Sequence, residues 1–232
     1  MNVTYTVNRS KKRRKTISLQ IVNNSEIKIC TPYYTPVAEI TRFIEEKQNW
    51  ISQTIQKRSQ ELLLNKEKDY VTGEIFYYLG QSYPLEARFE PMENTGVVFW
   101  NNQFFLNCPA DRDMRKYYFI RWYKRKAKEY LRARVEHFSR ALNLQPRATR
   151  ITSANQRWGS CSEDNSLAFS FRLMMAPPDV IDYVIIHELM HIRQKNHSSK
   201  FWNLVVEIMP DYKIHRRWLR DNHHKFILQA NE

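Results

Sequence analysis

His187-Glu188-Leu189-Met190-His191 has the form H-E-x-x-H. On an α-helix, positions i and i+4 share a face, so this spacing lets both imidazoles reach one metal ion. Glu188 then stands beside the ion without being a ligand. The preceding run, Val180-Ile181-Asp182-Tyr183-Val184-Ile185-Ile186, is apolar nearly all round. That pattern predicts a helix buried on most sides, starting at about Pro178. Two histidines and a glutamate buried there need partners, and a metal ion supplies them. The competing reading is a buried helix whose histidines are satisfied by ordinary hydrogen bonds.

Six residues after His191 comes His197, just past the expected helix end. Three protein ligands plus a solvent molecule make a catalytic zinc site, whereas a closed shell makes a structural one. The metal ligands read here are His187, His191 and His197, with Zn²⁺ as cofactor. Glu188 is the catalytic residue, taking a proton from a zinc-activated water and passing it to a leaving nitrogen. Tyr212 and His215 are candidates by position for a second oxyanion donor, against a structural role for each. Cys161 reads either as a fourth ligand or inhibitory thiolate, or as a small buried residue. Trp158 and Trp202 read as packing anchors near the site, and His223 and His224 lack a ligand pattern. The H-x-x-x-H-x-x-x-x-x-H interval invites a metzincin comparison. Gln194, however, holds the place of the turn glycine, Asn196 is the residue there that tolerates left-handed backbone, and no Met-turn is evident.

Downstream, Ser198 or Ser199 can cap a helix with Phe201, Trp202, Val205 and Ile208 inward. Pro210 stops it, and a last helix runs from about Asp211 to Leu228. Upstream, Arg150–Ala154 and Ser166–Leu173 read as strands. The second is expected beside the metal helix, with an edge that an extended peptide can pair with. From Asp111 to Leu144 the pattern is helical, with Tyr117, Ile120, Tyr123, Ala127, Tyr130, Leu131, Val135, Phe138 and Leu142 as its stripe. The opposite face carries Arg121, Arg125, Lys126, Lys128, Arg132 and Arg134. It is either a nucleic-acid-binding face or a solvated one.

The front of the chain alternates polar and apolar residues over 3–7, 16–22 and 26–30, with Asn23-Asn24-Ser25 as a turn. Lys11-Lys12-Arg13-Arg14-Lys15 lies between the first two strands and reads as a hairpin tip, with phosphate binding or a nuclear address as the alternative. Thr35-Pro36 opens an amphipathic helix to about Leu64 with Trp50 as a core anchor. Residues 74–80, 83–89, 97–100 and 103–106 read as strands, the last two joined by Asn101-Asn102.

With 232 residues the chain can bury a substantial core. Lys and Arg outnumber Asp and Glu by 37 to 24, a net +13 that favours nucleic acid or other polyanions as partners, or else only a basic surface. No apolar run is long enough to span a membrane, and the N-terminus lacks the order of a signal peptide. Three scattered cysteines, Cys30, Cys108 and Cys161, do not make a disulfide framework, which places the expectation in a reducing cytoplasm.

Three motifs in order, Arg157-Trp158-Gly159-Ser160-Cys161-Ser162, His187–His191 and Asn196-His197-Ser198-Ser199-Lys200-Phe201-Trp202, resemble the YgjP-like metallopeptidases. These are similar in turn to the SprT-like proteases that act on proteins attached to DNA. The likeness covers most of the chain, including the basic hairpin, the helix near Trp50, a Leu79-Gly80 strand and Pro210-Asp211-Tyr212. One departure is Phe169-Ser170-Phe171, where the resemblance leads one to expect an Asn-containing strand. The resemblance implies a zincin-type fold, with the roles given above for His187, His191, His197 and Glu188. The fold class is thus α+β. An antiparallel β-rich part with one long helix (1–110) precedes a zincin-like helical part carrying the H-E-x-x-H helix (111–232), the two forming one continuous unit. The expected function is zinc-dependent hydrolysis of a peptide or protein substrate. The alternatives are metal-dependent hydrolysis of a nucleotide phosphoanhydride, or a DNA-associated protease or nucleic-acid-binding module.

Overall fold

The computed structural model describes residues 4–22, 26–64, 68–89, 95–108, 111–226 and 228. The chain packs as two compact units, Met1–Lys66 and Glu67–Glu232.

In the first unit, β1 (Thr4–Ser10), β2 (Ser18–Ile21) and β3 (Glu26–Pro32) form a sheet in the order β1-β3-β2. β3 alternates, burying Ile27, Ile29 and Thr31 on one face. β1 runs parallel to β3, not antiparallel to β2. Lys11–Lys15 therefore joins two strands that are not neighbours, passing the end of β3, and is not a hairpin tip; β2 itself makes the return that the parallel pairing needs. The Asn23–Ser25 turn lies outside the described residues. The expected single helix is two, α1 (Val37–Glu46) and α2 (Gln48–Leu64), separated at Lys47. Ile40 and Ile51, one from each, cover the sheet residues Ile21, Ile27 and Ile29. Trp50 is half exposed rather than a core anchor, since its neighbour Ile51 takes the buried position.

In the second unit, β4 (Ile75–Tyr78), β5 (Gln81–Arg88), β6 (Gly96–Trp100) and β7 (Gln103–Asn107) form a sheet in the order β4-β5-β7-β6. β5 and β7 are parallel, so the front half is mixed and not purely antiparallel. Asn101 and Asn102 both have positive φ, 46° and 58°, as a two-residue hairpin of this hand requires. Leu79-Gly80 is also such a turn, not strand: φ is 48° and 84°. Its amides donate to Met174 and Met175 carbonyls at 2.8 and 3.2 Å, and a Cβ on Gly80 would strike Pro177 at 2.8 Å. This close approach docks the sheet against the segment that launches the metal-site helix.

α3 (Arg112–Leu142) is capped by Asp111, whose carboxylate accepts from the Met114 amide, and ends at Asn143 with φ 50°. It buries Phe119, Trp122, Tyr123, Ala127, Leu131 and Val135. Phe76, Phe104, Phe119, Trp122 and Tyr123 form one aromatic cluster joining this helix to the sheet. Tyr117, expected on the stripe, is about half exposed; the inward face at this end runs through Phe119 instead.

A second sheet holds β8 (Thr149–Thr152), β9 (Gly159–Cys161) and β10 (Leu167–Ser170), in the order β8-β10-β9. β10 is central, paired on both sides, so it is not the open edge that the sequence suggested. That edge belongs to β9. The strand also ends at Ser170, whose side chain caps a 3₁₀ turn over Phe171–Met175. α4 (Pro178–Arg193) follows, with α5 (Ser199–Ile208), α6 (Tyr212–Asn222) and a short 3₁₀ turn over His223–Phe226. No helix among the described residues is long and apolar enough to cross a membrane.

Candidate metal centre

α4 is buried on almost every side, from Val180 through His191, as its apolar sequence requires. His187 and His191 lie one turn apart on it. The chain leaves the helix at Gln194, and Asn196 closes the following turn through its side chain. Its Oδ1 accepts from Gln194 Nε2 at 2.9 Å and from the Ser198 amide at 3.2 Å. Asn196 is not among the residues with positive φ, so this side-chain bonding, not left-handed backbone, turns the chain. His197 is thereby brought back beside α4.

The three imidazoles converge: one donor nitrogen from each of His187, His191 and His197 lies within 4.8 Å of the other two. Nε2 of His187 and Nε2 of His197 are 3.0 Å apart. Two nitrogens each about 2.0–2.1 Å from one tetrahedral zinc stand about 3.3 Å apart, so the spacing suits a shared ion. Nδ1 of His191 lies 3.0 Å from the Gln194 carbonyl, which places the proton there and leaves Nε2 as a donor pair. Among the described residues Nδ1 of His187 is buried with no hydrogen-bond partner. Burial, then the charges of His191, His197 and Arg216, push His187 down to about 3. Burial lowers His191 as well. Neutral imidazoles are what a metal needs, and the donor set fits one.

An aromatic cup holds the rings. Phe201 stacks on His191 at 4.4 Å and meets His187 and His197 edge-on, each at 4.9 Å. Trp202 lies nearly parallel to His197 at 5.7 Å and to Tyr212 at 5.0 Å. Lys195 ties the loop between the histidines to the β9–β10 turn, donating to the Ser162 carbonyl and Asn165 Oδ1, each at 2.7 Å.

Glu188 is 6% exposed, and burial pushes its carboxyl up to about 8 against the opposing pull of Arg157. Its side chain lies on β9. A Cβ at Gly159 would approach the Glu188 Cγ and Oε1 to 2.7 Å. The sequence reading quoted Gly159 without giving it a role; a glycine inside a strand is the signal that another group comes close.

A family model for the YgjP-like metallopeptidase domain matches residues 15–222. The chain belongs to that family. Its YgjP-like membership makes it a metallopeptidase, and so a hydrolase with a metal cofactor. A search of curated proteins finds no match. Among solved structures, the metallopeptidase zymogen of Pyrococcus abyssi abylysin matches at 21% identity and a TM-score of 0.37, over 42% of this chain and 99% of that one.

Other expected site residues fall elsewhere in the YgjP-like chain. Cys161 is outside the histidine group, and its thiol is raised by burial and lowered by Lys195. Tyr212 is 6% exposed, between the rings of Trp202 and Tyr183. His215 contacts Asp211 at 3.2 Å. His223 packs edge-on against Trp158, and the His224 side chain lies outside the described residues. Arg134, read on the basic face of α3, instead grips Asp182 of α4 with two bonds of 2.8 and 2.6 Å.

Proposed function

We propose that this chain is a zinc-dependent peptidase in which His187, His191 and His197 hold the ion and Glu188 carries the proton. The observation behind it is the convergence of three imidazoles at a helix that also carries a buried carboxyl. When bound, zinc supplies positive charge that polarises a carbonyl group and makes water more acidic at neutral pH.

Ionised by the positive charge that a bound zinc would place beside it, Glu188 accepts a proton from water as the water oxygen bonds to the scissile carbonyl carbon. The carbon–nitrogen bond then breaks, and Glu188 returns the proton to the departing nitrogen. One water is consumed and the carboxylate is restored.

β9 supplies a place for an extended substrate. Trp158 accepts from the Ser170 amide and Ser162 donates to the Ser166 carbonyl, so alternation directs the backbone groups of Gly159 and Cys161 away from β10. A peptide can add there as a further strand with little demand on its sequence. Cys30, Cys108 and Cys161 are thiols rather than disulfides, which suits a reducing cytoplasm.

Glu188→Gln should bind zinc at wild-type stoichiometry and lose casein hydrolysis, while His197→Ala should lose the metal. Wild-type turnover by the Gln variant would remove Glu188 from the mechanism. Parallel assays with nucleoside triphosphates test the phosphoanhydride alternative.

A further inference from the structure

Developing negative charge on the substrate oxygen calls for a second positive group, and of the two residues suggested by sequence position one is an uncharged ring and the other already faces an acid. Tyr212 is packed between two rings, and His215 contacts Asp211. One turn beyond Tyr212 on α6 is Arg216. Its Cζ lies 4.9 Å over the Trp202 ring, the same ring that lies against His197 and, at 5.7 Å, against His187.

We propose that Arg216 is a catalytic residue of this site, binding the carbonyl oxygen of the scissile amide as it gains charge. The inference rests on the peptidase reading above. Among the described residues Arg216 has no ion pair and no hydrogen bond, so its donors are free for a substrate. Nearby acids are taken elsewhere, Asp211 by His215 and Asp221 by Arg220.

Arginine suits the task better than lysine would. The guanidinium stays charged at any working pH, and stacking on Trp202 fixes its plane, so less rotamer freedom is lost when it donates.

The test uses the full zinc-loaded chain with Arg216→Met, which keeps the apolar stem over Trp202, and Arg216→Lys, which keeps the charge. Zinc content and Tm should match wild type in both. Hydrolysis of fluorescein-labelled casein should fall about 100-fold in kcat/KM for the Met variant, as for loss of an oxyanion donor, and less for Lys. Added guanidinium chloride at low millimolar concentration should restore part of the Met variant's activity. Calorimetric binding of a phosphonate tripeptide, whose tetrahedral centre carries the negative charge, should weaken by a similar factor.

Met-variant activity within threefold of wild type overturns the proposal, as does a loss of zinc or Tm that accounts for the defect. If wild type cleaves no casein, the peptidase reading fails by itself, and the phosphonate arm still decides Arg216. Weaker binding by the Met variant then sustains its role toward an oxyanion. Equal binding, or none by wild type, overturns it.

Discussion

Gly159 and Glu188 are in contact so close that the smallest side chain at 159 would displace the carboxyl: a Cβ there falls 2.7 Å from Glu188 Oε1 and equally near its Cγ. Glu188 is 6% exposed, so its side chain has little room to retreat. Gly159→Ala should therefore move the proton carrier without touching the three histidines. Casein hydrolysis should drop about 100-fold, the cost of an ångström-scale misplacement, with zinc content unchanged. Overpacking should cost stability only modestly, about 1–2 kcal/mol. Metal analysis and urea denaturation of the purified variant check both halves. An active Ala variant would mean that β9 shifts rather than Glu188.

Arg134 and Asp182 fasten α3 to the helix that carries two of the three histidines. The bond is bidentate, and the two side chains are only 31% and 15% exposed. Partial burial makes such a pair worth more than a surface one, while its remaining exposure limits the gain through screening. Asp182→Asn should cost about 1–2 kcal/mol in urea denaturation. Arg134→Met in that background should cost little more, because the partner has already gone. Costs that simply add would show that the pair is not coupled.

The pairing of His187 with His191 was legible because a short motif on a helix fixes its own geometry: i and i+4 share a face in any fold, whereas the return of His197 depends on the turn at Asn196. The hairpin turn at Asn101-Asn102 was legible for the same local reason. Pairing across the sequence was not. Alternation shows that residues 4–10 and 26–32 make strands, but not that they run parallel. Nor does it show that β10 lies between β8 and β9, since a central strand and an edge strand can carry the same pattern. Arg134 was misplaced because a basic residue on a helix reads as solvated until its partner, 48 residues away, is known. Arg216 gave no signal at all; its position depends on how α6 packs on Trp202.

Arg172 is 3% exposed, and its bonded partners are carbonyls: it donates to Ser153 at 2.6 Å, to Ala154 at 3.2 Å, and to Leu228. It thus joins the segment after β8 to the C-terminal stretch. Burial pushes the guanidinium down to about 10, which leaves it charged at neutral pH. Replacement by Met fills similar space but removes the Arg172 donors from the Ser153 and Leu228 carbonyls, while Ala154 keeps the Ser170 hydroxyl at 2.9 Å. The variant should lose about 3 kcal/mol, read as a lower urea midpoint with an unchanged m-value. A loss under 1 kcal/mol would mean that water reaches those carbonyls in the variant.

Asp164 organises the turn that joins β9 to β10, and so holds one end of the proposed substrate edge. Its carboxylate accepts from Ser162 Oγ at 2.5 Å, the Ser166 amide at 3.2 Å, Ser166 Oγ at 3.1 Å and Arg147 Nη1 at 2.8 Å. These bonds, with Ser162 the strongest influence, hold the carboxyl at about 2 against an ordinary 3.8. A depressed acid stabilises the fold in its ionised form. That contribution is complete above 3.8, the unfolded value, and disappears as pH falls through about 2, where the folded form protonates. Asp164→Asn should accordingly melt below wild type at pH 6, with the gap closing between pH 4 and pH 2. Because the carboxyl is exposed, added salt should narrow the gap at pH 6 too. Thermal melts of both proteins across that range check the sign. A gap that persists at pH 2 would assign the loss to the geometry of the amide rather than to the missing charge.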